Sequence, residues 1–276
     1  MRAAWPAGSS RAGMSLGRVL AMLGRYYYLF RGSVPRIIEL AYWPIVQVAL
    51  WGFITKFFLE HSSWLVNAAG ALLAGVLLWD VLFRGQLGLS ISFLEEMWAR
   101  NLGQLFASPL RPGELMAAMM LGSLIRTSLG LMPATLVAWL LHEYSIYSLG
   151  LPLIAFFANL MVFGWAIGLA VCALLIRYGL AAESFAWASI FILAPLSAVY
   201  YPVDVLPEAA QAVALALPSA HVFEGMRAVM IEGVFRTDLF LWAIGLNVAY
   251  IAGGVALFAY AFNIARRRGL ILQSGE

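Results

Sequence analysis

The stretch from Leu151 to Ile176, LPLIAFFANLMVFGWAIGLAVCALLI, contains no charged residue. A helix rises 1.5 Å per residue, so a helix of this length is about 39 Å long, and the hydrocarbon core of a bilayer is about 30 Å thick. Apolar runs of this length without charges are typical of transmembrane helices. The stretch therefore predicts one membrane-spanning helix.

Similar apolar runs recur along the chain. Hydrophobic residues make up 63% of the 276 residues and charged residues only 11%, whereas an average soluble domain is about 25% charged. The connections between the runs are short and none has the composition of a soluble module, so we expect a single integral membrane domain over residues 1–276. The fold class is an all-α polytopic membrane protein.

Six spans are predicted, with an amphipathic interfacial helix before them. The spans cover residues 37–59, 65–94, 114–141, 151–176, 184–203 and 239–265. Basic residues are concentrated before the first span, in the second and fourth connections, and after the last span. By the positive-inside rule, this distribution predicts that both termini are cytoplasmic.

The interfacial helix is predicted over residues 14–35. Its apolar side chains recur at intervals of three and four residues, which places them on one stripe of a helix. The stripe is formed by Leu16, Leu20, Leu23, Tyr27 and Phe30. Arg18 and Arg25 lie seven residues apart on the opposite side, where we expect them to contact anionic lipid. The alternative is a simple extension of the first span.

A polar stretch, FLEEMWARNLGQLFASPLRPGEL, occupies residues 93–115 between two apolar runs. A short helix is predicted from Asn101 to Ala107, and Ser108 and Pro109 are expected to end it, because a residue before proline is disfavoured in helical conformation. The stretch is either an ordinary solvated connection or a contact surface for another protein. Glu95, Glu96 and Arg100 could pair with such a partner, or with Arg18 and Arg25.

Three charged residues fall inside predicted spans. A charge at the bilayer centre costs on the order of 3 kcal/mol or more, so Asp80, Arg84 and Arg126 need partners or water. Asp80 and Arg84 are one helical turn apart, and a hairpin of the second and third spans would place Arg126 at the depth of Asp80. We therefore predict an ion cluster of Asp80 with Arg84 or Arg126, which either locks helices together or contacts substrate.

The segment 204–236, between the fifth and sixth predicted spans, is too long for a turn and too apolar for a solvated loop. Two short helices are predicted over residues 207–217 and 219–231, at the outer interface or re-entering the membrane. Glu224 and Arg227 are three residues apart and are expected to pair. This hairpin could act as an outer gate or only as a seal.

Two motifs resemble those of the permease subunits of ABC-2 type exporters. The first is EEMWARNLGQLFASPLRPGEL, and the second is YYPVDVLPEAAQAVALALPSAHVFEGMR. The resemblance implies that the first motif contacts a separate ATPase subunit and that the second forms the outer hairpin. The implied ATPase-coupling residues are Glu95, Glu96, Arg100, Asn101, Leu102, Leu105, Phe106, Ser108 and Pro109. The implied hairpin residues are Pro202, Leu206, Pro207, Pro218, His221, Glu224 and Arg227.

The resemblance also implies partners and a location. We expect a dimer of ABC ATPase subunits, a second permease copy or a paralogue, surrounding membrane lipids, no nucleic acid, and residence in the cytoplasmic (inner) membrane. The implied cargo is an amphiphilic, glycan-like or lipid-like molecule moved outward. The single lysine, Lys56, has no glycine-rich loop before it, so we expect no phosphate-binding loop, no enzyme activity and no cofactor in this chain. ATP and magnesium would bind to the partner.

Two other classes are considered. A lipid-modifying membrane enzyme would need a catalytic histidine or a carboxylate pair within the spans, but the three histidines fall at connections. An ion-coupled secondary transporter could use Asp80, but such transporters commonly show inverted repeats, and none is evident. The lone cysteine, Cys172, allows no intramolecular disulfide and no cysteine-based metal site.

Overall fold

The structure is a computed structural model that describes residues 14–61 and 66–268, without the side chains of residues 58–61, 66–69 and 106. Its helices are α1 (Leu16–Arg31), α2 (Val34–His61), α3 (Val66–Trp98), α4 (Leu102–Ala107), α5 (Pro112–His142), α6 (Leu151–Tyr178), α7 (Ser184–Leu196), α8 (Glu208–Leu215), α9 (Pro218–Arg227) and α10 (Thr237–Arg268). No strand occurs within these ranges.

Five of the described helices are long and apolar enough to cross a membrane. These are α2, α3, α5, α6 and α10. They match five of the six predicted spans, although residue 65, where the second predicted span begins, lies outside the described ranges. The all-helical membrane fold is therefore confirmed, while a sixth span is not.

The predicted fifth span, 184–203, is helical only over the 13 residues of α7. A helix of that length is about 20 Å long, which is less than the hydrocarbon thickness. Pro195 occupies the last turn and has no N–H to donate, and Ala198 follows with a φ of 51°, in the left-handed region. The chain therefore leaves the helix at Leu196.

Helix α3 lies at the centre of the bundle. Most residues of its window from Gly70 to Trp98 are buried, whereas only a minority of the window residues of α2, α5 and α10 are buried. Gly164 and Gly168 bring α6 against α3: a Cβ on Gly164 would lie 2.9 Å from the Leu82 carbonyl oxygen. The absence of side chains at these two positions lets the two helix backbones approach closely.

The directions of the helices define the two ends of the bundle. Helix α6 runs parallel to α3, because Gly164 packs at Leu82 and Gly168 packs further along at Leu89. The connection between α3 and α5, which includes α4, therefore lies at the same end as the C-terminus of α6; we name this the α4 end. At the opposite end, which we name the α8 end, α7 finishes near the start of α3, since Val199 contacts Gly75.

Candidate functional site

Helix α4 is attached to the end of α3 by a polar turn. Arg100 adopts a φ of 51°, and the Asn101 backbone N–H donates to the Glu96 carbonyl oxygen at 3.0 Å. The Asn101 side-chain amide also donates to the Glu96 carboxylate at 2.8 Å. Since both bonds end on Glu96, α4 is held in a defined orientation beneath α3.

Glu96 is itself buried and neutralised by α1. The Arg25 guanidinium forms a two-pronged contact with its carboxylate, with Nη2 lying 3.0 Å from Oε2. This hydrogen bond raises the pKa of Arg25, so the guanidinium stays charged. Beside it, burial raises the pKa of the Tyr26 phenol.

A second ion pair attaches α1 to the start of α5. Glu114 is fully buried, and Arg18 donates to both of its oxygens at 2.7 Å. Glu114 also accepts the backbone N–H groups of Ser15 at 2.8 Å and Arg111 at 2.9 Å. The sequence interpretation did not identify Glu114, although its position three residues after Arg111, with Pro112 opening the helix, is a helix-start signal.

Arg18 and Arg25 of α1 were expected to contact anionic lipid, or alternatively to pair with Glu95 or Glu96. The structure pairs Arg25 with Glu96, as the alternative predicted, and Arg18 with Glu114, which was not predicted. The buried side of α1 is formed by Val19 and Met22, while Leu16 and Leu20 of the predicted stripe are exposed. Burying a carboxylate without a counter-charge is strongly destabilising. This cost explains why Arg18 and Arg25 pair with the buried carboxylates. The interfacial role of α1 is not confirmed.

Helix α4 has an inner and an outer face. Leu102 is buried, and Leu105 packs against the same apolar cluster, which includes Met97, Leu115 and Met119. Gln104, Ala107, Ser108 and Pro109 are exposed. The side chain of Phe106 lies outside the described residues. The surface available to another protein is therefore formed by these exposed residues and not by Leu102; we name the exposed residues Gln104, Ala107, Ser108 and Pro109 the α4 surface.

Glu95 has a different setting from Glu96. It pairs with Arg36 of α2 at 3.1 Å, with both side chains partly exposed. The structure confirms the short helix predicted over Asn101 to Ala107, which forms α4. The predicted end of this helix is confirmed too, since Ser108 adopts an extended backbone conformation before Pro109.

Asp80 and Arg84 lie together in the middle of α3. Arg84 Nε is 2.6 Å from Asp80 Oδ2, and both side chains are largely buried. The Arg84 guanidinium reaches Gly130 of α5, where an added Cβ would lie 3.1 Å from Nη1 and 2.9 Å from the Leu40 carbonyl oxygen. The pair therefore lies where α2, α3 and α5 meet.

Arg126 takes other partners. Its Nη2 donates to the Gly88 carbonyl oxygen at 2.8 Å and to the Ser92 hydroxyl. These bonds join α5 to α3 nearer the α4 end than Asp80. The three charged residues thus form one ion pair and one separate cross-link.

Helices α8 and α9 close the α8 end. Two helices are present here, but their bounds differ slightly from the predicted 207–217 and 219–231: Pro207 precedes α8 and Pro218 begins α9. Helix α9 is almost entirely buried. Glu224 accepts the Val203 backbone N–H at 2.7 Å and contacts Arg227 at 2.9 Å. Arg227 also donates to the Ala198 carbonyl oxygen at 2.8 Å. These bonds fix the turn that follows α7.

The other predicted hairpin residues lie around this turn. The His221 Nε2 atom is 2.8 Å from the Leu215 carbonyl oxygen, and its ring stacks on Trp242. Leu206 packs beside the small buried cluster of Ala198, Val203, Ala214 and Ala220, while Pro202 is exposed. Two helices are present here as predicted, but re-entry into the membrane is not confirmed.

Two buried amide contacts were not identified from the sequence. Gln86 of α3 donates to the Ala186 carbonyl oxygen of α7 at 3.0 Å. Asn247 of α10 donates to the side-chain oxygen of Asn159 of α6 at 2.9 Å. A polar residue isolated in an apolar run was the available signal, since such residues in spans commonly bond to neighbouring helices.

Comparison with known proteins agrees with this arrangement. The sequence profile of the family described as ABC-2 type transporter matches residues 33–231, which is more than half of the chain and extends from the start of α2 to just beyond α9. No curated protein matches. The chain is therefore a multi-pass membrane protein of the ABC-2 type transporter family and supplies the membrane domain of an ABC transporter.

Proposed function

We propose that this chain is the permease subunit of an ATP-driven exporter in the cytoplasmic membrane, that α4 docks into a separate ATPase subunit, and that a second permease copy or paralogue completes the pathway. The observation that supports this best is the α4 surface. A six-residue helix with an exposed outer face lies between α3 and α5, and Glu96 and Asn101 hold its base in place. An ordinary solvated connection would not need a buried ionic support.

Force on α4 would reach the spans by two routes. Helix α4 is joined directly to α3, which forms the centre of the bundle, and to α5 through Arg111. Helix α1 is bonded to both spans, through Glu96 of α3 and Glu114 of α5. A displacement of α4 would therefore move α1, α3 and α5 together and not bend one loop.

The charge distribution supports a cytoplasmic α4 end and cytoplasmic termini. Described basic residues at the α4 end are Arg18, Arg25, Arg31, Arg36, Arg100, Arg111, Arg177, Arg266, Arg267 and Arg268, whereas Lys56, Arg227 and Arg236 lie at the α8 end. In this orientation α8 and α9 would form the outer closure that re-enters the membrane. Opening would require the bonds of Glu224 and Arg227 to the turn after α7 to break or move.

The division of chemistry follows from this arrangement. ATP and magnesium would bind to the partner ATPase, because the only lysine, Lys56, lies in α2 without a phosphate-binding loop. This chain would provide the path for an amphiphilic, glycan-like or lipid-like substrate. Within the described ranges, no three histidine, cysteine, aspartate or glutamate side chains converge as a metal site would require.

The test replaces one small residue of the α4 surface by a large one. Ala107→Trp should block docking into a groove of the ATPase and reduce ATPase co-purification at least about tenfold, since a bulky side chain at a packed interface costs on the order of 1–3 kcal/mol. Ala212→Trp, the same change at an exposed position of α8, is the control and should leave co-purification unchanged. Co-purification is measured with an ABC ATPase subunit expressed together with this chain.

Two outcomes would contradict the proposal. One is equal ATPase recovery with Ala107→Trp and with the wild type. The other is transport by the purified chain alone, in vesicles carrying an ion gradient and no ATPase. Substrate efflux that requires both the ATPase and ATP is the expected result.

A further inference from the structure

A groove of about 330 Å³ lies between α6 and α10 at the α4 end. Its walls are apolar, with Leu174, Leu257 and Ile264 around it, and Ala173 and Ala261 leave the space between the two helices. Leu257 is 53% exposed, so the groove opens to the outside of the bundle, where the membrane lies. It belongs neither to the α4 surface nor to the helices at the α8 end.

The groove follows from how α6 and α10 cross. The helices run parallel, because Asn247 lies against Asn159 and Gly254 lies seven residues further along against Ala166. At Gly254 they touch, since a Cβ there would lie 2.7 Å from the Ala166 carbonyl oxygen. Beyond this contact, the residues of α6 and α10 that face each other include several alanines. Their small side chains leave space for a ligand between the two helices.

The end of the groove is positively charged. Arg177 in the last turn of α6 and Arg268 in the last turn of α10 both line it. Tyr178 and Tyr260 lie beside them, and Tyr260 is 62% exposed. None of the described lining residues is acidic. The groove therefore joins an apolar wall to two guanidinium groups at the depth where a span meets the headgroup region.

We infer that this groove binds an anionic phospholipid, with one acyl chain between α6 and α10 and the headgroup phosphate between Arg177 and Arg268. Guanidinium groups form paired hydrogen bonds with phosphate oxygens, and basic pockets between transmembrane helices select anionic headgroups. The apolar wall accounts for the acyl chain, and the two charges account for the anion. This inference does not depend on the ATPase partner.

Arginines at helix ends also compensate the helix dipole, so the test must separate the two roles. Arg266→Gln supplies the control, because Arg266 lies in the same last turn of α10 but does not line the groove. The test variant is the double substitution Arg177→Gln with Arg268→Gln. All variants should elute as the wild type does and unfold at similar temperatures without added lipid.

The measurement is native mass spectrometry of the full chain in detergent, titrated with dioleoylphosphatidylglycerol, dioleoylphosphatidylcholine or glycerol phosphate. The wild type should retain phosphatidylglycerol in preference to the other two. The double variant should lose about tenfold or more of that affinity, because each basic group near an anionic headgroup contributes on the order of 1 kcal/mol. Arg266→Gln should retain wild-type affinity.

A second pair of variants tests the apolar wall. Ala261→Trp should fill the groove and displace phosphatidylglycerol, while Ala259→Trp, at an exposed position of α10 outside the groove, should not. Equal retention of the two phospholipids, or an unchanged affinity in the double variant, would overturn the inference. Retention of glycerol phosphate as strong as that of the lipid would also overturn it, since the site would then bind a free phosphate.

Discussion

Asp80 shows how one residue in a span depends on its neighbours. Its carboxylate lies 2.6 Å from Arg84 Nε, and the arginine extends over Gly130, where α5 has no side chain. The four-residue spacing in the sequence indicated the pair, because residues one turn apart share a helix face. The space for the guanidinium is provided by Gly130 of another helix. The spacing of residues within α3 cannot indicate this space.

Asp80→Asn should destabilise the protein by about 3 kcal/mol, because a buried guanidinium would lose its counter-charge. The measurement is the thermal unfolding of the purified chain in detergent. Asp204→Asn is the matched control: Asp204 is exposed, so the same change should alter stability by less than about 0.5 kcal/mol.

A second variant checks the mechanism. Replacing both partners, with Asp80→Asn and Arg84→Gln together, should recover part of the lost stability, since no uncompensated charge remains. An unfolding temperature of Asp80→Asn equal to that of the wild type would show that the pair does not stabilise the bundle.

At the scale of elements, α1 is the helix whose attachment differs most from expectation. Arg25 and Arg18 bond to Glu96 and Glu114, respectively, at the ends of the spans that flank α4. The spacing of seven residues correctly placed Arg18 and Arg25 on one side of the helix. Which surface that side contacts depends on how α3 and α5 come together.

Glu114→Gln should loosen α1. A hydrogen bond to a charged group contributes about 1.5–3 kcal/mol, so amide hydrogen exchange in residues 16–31 should accelerate at least about tenfold. Glu95→Gln removes the contact with Arg36. The side chains of Arg36 and Glu95 are 41% and 31% exposed, so this change should have little effect on exchange in α1. Equal exchange rates in α1 for Glu114→Gln and the wild type would contradict an anchoring role.

At the scale of the whole molecule, the basic residues distinguish the two ends. The α4 end holds most of the arginines, and the α8 end holds few basic residues within the described ranges. Cytoplasmic segments of membrane proteins are enriched in such residues. The same asymmetry places the α4 surface where an ATPase could reach it.

Orientation can be read by labelling with a membrane-impermeant maleimide. The native Cys172 is fully buried, which keeps the background low. In intact cells without the ATPase, Ala212→Cys at the α8 end should react and Ala107→Cys at the α4 end should not, while both should react after the membrane is opened. Labelling of Ala107→Cys in intact cells would invert the orientation and remove the proposed ATPase contact.

The sequence by itself determined the membrane fold, the short helix α4 and the proline-bounded helices α8 and α9. These features depend on the hydropathy of contiguous residues and on the backbone limits of proline, such as Pro109, Pro207 and Pro218, which are local properties. The family resemblance seen in the two motifs is confirmed by the match over residues 33–231.

Only the tertiary structure decided which partners the charged residues take and how far the predicted fifth span extends. Arg126 bonds to Ser92, Arg18 bonds to Glu114, and Leu102 turns inward, because each contact joins residues that are distant in the chain or depends on helix register. Hydropathy continued through residue 203, but the helix ends at Leu196. Pro195 gives a local reason for this end, and Arg227 of α9 holds the turn that follows. The groove between α6 and α10 has the same origin, since it exists only where two separately predicted helices cross at Gly254.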